Sequence, residues 1–155
     1  MKSVRFLIAR EPRKESYRQL LQVASRTCAY AQLVVREAQS QVDEIANILD
    51  RLADKLVARE QSSSWPGTVL LDETATLYRY SLDPTLAILL GSIVDGLYDW
   101  IEPNRPEDLC IFRDNMDPWL VTISHERESA LIITEDERTR LSEEAPSFAP
   151  LLRYP

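Results

Sequence analysis

Glycine is scarce in this chain: only Gly67, Gly91 and Gly96 occur in 155 residues. Neither a G-x-G-x-x-G turn nor a Walker-type loop can be written, and no G-x-S-x-G elbow presents a nucleophilic serine. Histidine is scarcer still, with His125 alone. The run "HERES" at 125–129 begins like the two-histidine zinc-protease helix, but position 129 is serine and no second histidine exists to complete it. The two cysteines, Cys28 and Cys110, are far apart and lack both C-x-x-C spacing and a disulfide framework. They read as reduced, buried thiols, and a zinc site joining them to His125 has no characteristic spacing behind it.

Long apolar runs are also missing, as is a signal-peptide pattern in "MKSVRFLIARE", so a cytoplasmic location with no membrane association is expected. Positive charge is in deficit, with 18 Lys and Arg against 25 Asp and Glu, a net charge of −7. Nucleic-acid binding relies on clustered cations that neutralise phosphates and is not expected here. An acidic surface suits a basic protein partner better.

What is present is an ordinary folded composition, 45% hydrophobic and 28% charged, with 155 residues sufficient for one core. One globular α+β domain over 1–155 follows, with no repeat or dividing linker. Residues 3–9 read as a short strand or a tucked-in arm. After Pro12, "RKESYRQLLQVAS" reads as a helix with Tyr17, Leu20, Leu21 and Ala24 on one face, and "TCAYAQLVVRE" as a strand in preference to more helix. From Gln41 to Glu60, Val42, Ile45, Leu49, Leu52 and Leu56 recur at helical steps and predict one amphipathic helix. "QSSSWPGT" is a loop and "ATLYRYSL" an alternating strand. Asp83 and Pro84 then open a central helix carried through "TLAILLGSIVDGLYDWI" until Pro103 and Pro106.

The last third reads as a three-stranded meander, "DLCIFR", "PWLVTIS" and "SALIIT", with turns at "DNMD" and "HERE". Thr134 and Glu137 form a capping-box pattern before a short final helix. The expected architecture is therefore N-terminal amphipathic helices packed on a small antiparallel sheet, with a C-terminal meander and a last helix.

Two kinds of residue stand out for function. Tryptophan and tyrosine favour interfaces, and Trp65 in its Ser/Pro/Gly loop either plugs the core edge or anchors a partner. With Asp95 and Asp99, one helical turn apart, it marks a partner-binding face in the leading reading: a non-enzymatic acidic module, in concrete form an immunity-type protein neutralising a basic toxin. No cofactor and no metal is expected in that reading. The competing reading is a small hydrolase or metal-dependent enzyme using His125 with Glu126 and Glu128. A homodimeric structural or regulatory subunit is the third. The alternation of Trp119, Val121 and Ile123 directs His125 inward if the strand continues through it.

Overall fold

The computed structural model describes residues 2–155. Strand β1 (Val4–Ile8) is followed by helix α1 (Glu15–Thr27), strand β2 (Tyr30–Arg36), helix α2 (Asp43–Leu52) and strand β3 (Leu56–Ser62). A small hairpin, β4 (Ser64–Trp65) and β5 (Thr68–Val69), leads to β6 (Ala75–Ser81) and helix α3 (Pro84–Ile93). Strands β7 (Glu107–Phe112), β8 (Pro118–Ile123) and β9 (Glu128–Ile133), helix α4 (Glu135–Glu144) and the two-residue β10 (Leu152–Arg153) complete the chain.

The small sheet expected from the sequence is overturned. The meander β7–β8–β9 is the middle of an eight-stranded antiparallel sheet ordered β10-β1-β9-β8-β7-β2-β6-β3. Nor do the helices form an N-terminal layer, because α3 and α4 come after most of the strands and all four helices feed one core. Strand alternation explains the layering. Phe6 and Ile8, Ala31 and Leu33, Leu109 and Ile111, and Leu131 and Ile133 join a cluster with Tyr17, Leu20 and Leu21 of α1, Leu52 of α2, Leu86 and Leu90 of α3 and Leu141 of α4. At its centre the Trp100 indole N–H donates to the Tyr17 hydroxyl at 2.9 Å, which donates to the Leu90 carbonyl at 2.8 Å, so three buried polar atoms satisfy one another.

The opposite face carries Val34, Ala75 and Leu77, and over these lies Trp65 from the hairpin. Gly67 is required at its turn: φ is +90°, and an added Cβ would meet Ile123 Cγ1 at 2.8 Å. The hairpin thus presses its backbone onto β8.

Two expected helices are too long. The helix read over 41–60 stops at Leu52, and after a 3₁₀ turn the chain becomes the edge strand β3. Leu56 falls on the helical spacing by coincidence, and it is 39% exposed. Cross-strand partners decide the segment: Arg59 lies over the Tyr78 ring, and Glu60 pairs with Arg79 at 3.0 Å. The helix read through residue 101 ends at Ile93, where Val94 turns extended, and Leu97–Asp99 forms a separate 3₁₀ turn. Between them Gly96 lets the chain pass against Arg13 and Glu11, which would lie 2.4 and 2.7 Å from an added Cβ. The cap at Asp83 forms, with its carboxylate accepting from Leu86 N–H at 2.8 Å, and the Thr134–Glu137 capping box opens α4.

Candidate metal centre beside the only histidine

Strand β7 contains an extra residue where it meets β2. Gln32 is opposite Cys110 but Val34 is opposite Glu107, so a two-residue step on β2 matches a three-residue step on β7. Asp108 absorbs the bulge in the left-handed region at φ 57°. Because a bulge suspends alternation, successive residues Glu107 and Asp108 serve the same patch of the hairpin-covered face. Glu107 pairs with Arg36 of β2, and Asp108 with Trp65 of the hairpin.

Asp108 is fully buried and held at both oxygens. Its Oδ2 accepts from the Trp65 indole N–H at 2.9 Å and its Oδ1 from the Ser124 backbone N–H at 2.8 Å. Glu107, 1% exposed, is held at one oxygen only: Oε1 accepts from Arg36 Nε, while the buried Oε2 has no hydrogen-bond partner. Burial pushes the Glu107 carboxyl up from its ordinary range; Arg36 opposes that shift, while neighbouring Asp108 and Glu102 add to it. Arg36 also lies 5.7 Å from the Trp65 ring centroid and 3.6 Å from Glu73.

His125 comes to this pair from the far end of β8. The strand stops at Ile123, and a 3₁₀ turn over Ser124–Glu126, closed by Arg127 at φ 55°, breaks the parity that would have sent the ring inward. Ser124 is buried instead and His125 is exposed. One ligand atom from each of Glu107, Asp108 and His125 lies within 4.8 Å of the others. Among the described residues, His125 makes no hydrogen bond or ion pair and this is the only such cluster.

Glu126 and Glu128 are exposed, and neither belongs to the cluster; the carboxylates come from the strand that pairs with β8. The expectation of no metal ligands meets a set of one imidazole and two carboxylates. That combination suits Zn²⁺ or Mn²⁺, and the hydrogen bonds to Asp108 resemble the outer contacts that orient metal-binding carboxylates. The free Oε2 of Glu107 fits a cation as its missing partner. The nearby Arg36 charge acts against one, and it is already spent on Glu107 and Glu73.

The other proposed binding residues are engaged within the chain. Trp65 is 6% exposed, the core-plug alternative for that loop. Asp95 pairs with Arg18 at 2.5 Å, and Asp99 with Arg13 at 3.0 Å. Burial alone would raise Asp99, but the Arg13 guanidinium outweighs it and holds the carboxyl below its ordinary value. With α3 ended at Ile93, Asp95 and Asp99 are not on one helix; the Asp95 backbone N–H instead donates to Asp99 Oδ2 at 3.3 Å. Both cysteines are free; burial pushes both thiols up to about 12, which makes them poor nucleophiles at neutral pH.

Sequence reading missed Glu107 and Asp108. Their signal was an acidic pair directly before the apolar run of "EDLCIF", a strand whose six residues are all buried. Two adjacent carboxylates are rarely buried without a task or a partner. Among the described residues no helix is long and apolar enough to cross a membrane. Comparison of the chain with protein families, with curated proteins and with solved structures found no match.

Proposed function

We propose that this is a metal-dependent protein whose centre holds one divalent transition-metal ion through Glu107, Asp108 and His125, with hydrolysis as the class of chemistry. The supporting observation is that a β-bulge brings two buried carboxylates, one with an unpartnered oxygen, to within 4.8 Å of the only imidazole in the chain. Three protein ligands leave coordination positions free, as catalytic rather than structural zinc sites do. His125 is the one exposed ligand, with Glu107 and Asp108 buried behind it, so a substrate would approach on the His125 side. An ion held there supplies Lewis acidity toward a substrate oxygen. The chain's own part is to fix the ligands: Trp65 and Ser124 orient Asp108, and Arg36 restrains one oxygen of Glu107.

Equilibrium dialysis with Zn²⁺, Mn²⁺ and Ca²⁺, followed by elemental analysis, tests this reading. One equivalent of Zn²⁺ or Mn²⁺ should be retained, with weak or no retention of Ca²⁺. His125→Ala should weaken binding at least tenfold without changing the thermal midpoint of the metal-free protein, because the ring is exposed and makes no hydrogen bond. Saturation at about one hundred times Kd should stabilise the fold by about 2.7 kcal/mol. Failure to retain stoichiometric metal, or equal retention by His125→Ala, refutes the proposal.

A further inference from the structure

On the helix side of the sheet, away from the Glu107 bulge, α1 and α3 lie side by side at the surface. The Lys14 N–H donates to the Asp95 carbonyl at 2.6 Å at one end of the pair and the Leu82 N–H to the Ala29 carbonyl at 2.9 Å at the other, so the two helices run antiparallel. Ala87 and Gly91 are the α3 residues turned toward α1, and because both are small an open groove of about 860 Å³ runs between the helices. None of the ten residues of α3 is charged, and its outward side chains are Pro84, Thr85, Ile88 and Ser92. Ile88 is 74% exposed at the lip of the groove. A surface helix ordinarily turns charged residues to water, and one without them is ordinarily covered.

The neighbouring helix indicates what covers it. Glu15, Gln19, Gln22 and Arg26 recur at steps of four, three and four residues and form one line along α1, opposite the buried Tyr17, Leu20, Leu21 and Ala24. This line is self-complementary: turned end for end about its midpoint, it sets Glu15 of one copy against Arg26 of another, and Gln19 against Gln22. Ile88 is level with that midpoint. Arg18 Nε donates to the Gly91 carbonyl at 3.0 Å, and three residues back along α3 from Gly91 corresponds, on an antiparallel neighbour, to three forward from Arg18, at Leu21. The end charges are available. Among the described residues Glu15 makes no ion pair and takes one hydrogen bond, from Gln19 at 3.2 Å. Arg26 is held only by Glu144, at 3.7 Å between half-exposed side chains. Arg18, by contrast, is committed to Gly91 and to Asp95 at 2.5 Å.

We infer that this face is the contact between two copies of the chain, joined through α1 and α3 about a two-fold axis. The Glu15–Arg26 pairs at the two ends set the register, and Ile88 of each copy covers the groove of the other. The Glu107 centre, on the opposite face of the sheet, stays open.

Sedimentation velocity on the full chain from about 1 to about 300 μM brackets the association expected of a contact of about 1,200 Å², the small end of specific interfaces. The parent should pass from monomer to dimer within that range. Glu15→Arg and Arg26→Glu each replace two attractions by two repulsions and should weaken the dimer at least about tenfold. A chain carrying both changes again has opposite charges across the axis, and should recover the parent's dissociation constant to within about threefold. An equimolar mixture of the two single variants should form dimers at concentrations where neither does alone, which requires both to be folded. Ile88→Ala, at an exposed site, should leave the monomer's thermal midpoint in place and weaken dimerisation about tenfold. A parent that stays monomeric throughout overturns the inference. So does a dimer indifferent to the single reversals, or one that the double reversal fails to restore.

Discussion

Replacing Trp65 by phenylalanine isolates a single hydrogen bond on the hairpin face. The phenyl ring keeps most of the packing against Val34, Ala75 and Leu77, but the donor to Asp108 Oδ2 is lost. Asp108 is fully buried and Trp65 nearly so, so water does not readily replace the indole. A hydrogen bond to a charged group is worth about 1.5–3 kcal/mol, and the smaller ring leaves a modest packing defect besides. A loss of about 2–3 kcal/mol is expected. For a chain of this size that corresponds to roughly 4–12 °C in thermal midpoint. Urea unfolding followed by far-ultraviolet circular dichroism measures it without depending on the tryptophan that has been removed. The double variant with Asp108→Asn closes the cycle and should reveal a coupling of at least about 1 kcal/mol between the two side chains. A Trp65→Phe protein within about 0.5 kcal/mol of the parent, or a coupling near zero, would refute the view that the hairpin is fastened through Asp108.

Burial acts to raise the Glu137 carboxyl, but the Arg113 fork and the Thr134 donors outweigh it, so the folded value lies below the ordinary one. A depressed carboxyl stabilises the fold above its unfolded pKa, and that contribution disappears as pH falls through the folded value. Glu137→Gln should therefore destabilise the protein by about 1 kcal/mol at pH 7, and in urea titrations across pH the two curves should begin to approach as pH falls below the ordinary Glu value and meet only once it has passed the depressed folded one; curves that stay separated in acid would contradict this. Gly67→Ala places a Cβ 2.8 Å from Ile123 Cγ1 at a φ of +90° and should cost about 1–3 kcal/mol by the same unfolding assay.

The parts of the fold legible in the sequence are those decided by neighbours in the chain. Asp83 with Pro84, and Thr134 with Glu137, announce helix starts because their bonds span three residues. The meander strands show for a related reason: "PWLVTIS" and "SALIIT" are joined by a short turn. What could not be read depends on distant partners. Nothing in Leu56–Ser62 marks it as a strand until Tyr78 and Arg79 of β6 are beside it. Sheet size is hidden for the same reason, since β1 takes its place through Phe6 opposite Leu131 and Leu7 opposite Arg153. The candidate metal centre is a special case of this. His125 was conspicuous, but its carboxylates come from β7 and are aimed by a bulge, a register event that leaves no local trace beyond the pair Glu107-Asp108.

The place of β1 between β9 and β10 sets an order for biosynthesis. Residues 4–8 emerge from the ribosome before the other strands of the sheet, yet their nearest partner strand begins at Glu128. At common elongation rates the segment waits roughly 6–25 s, with Phe6 and Ile8 uncovered, before anything can pair with it. The sheet can grow from its other side in the meantime, through β2, β6 and β3, and β1 is inserted only after β9 exists. Strand β1 is therefore without a strand partner until β9 has been made, and its pairings with β9 and β10 tie the earliest strand of the sheet to the two latest.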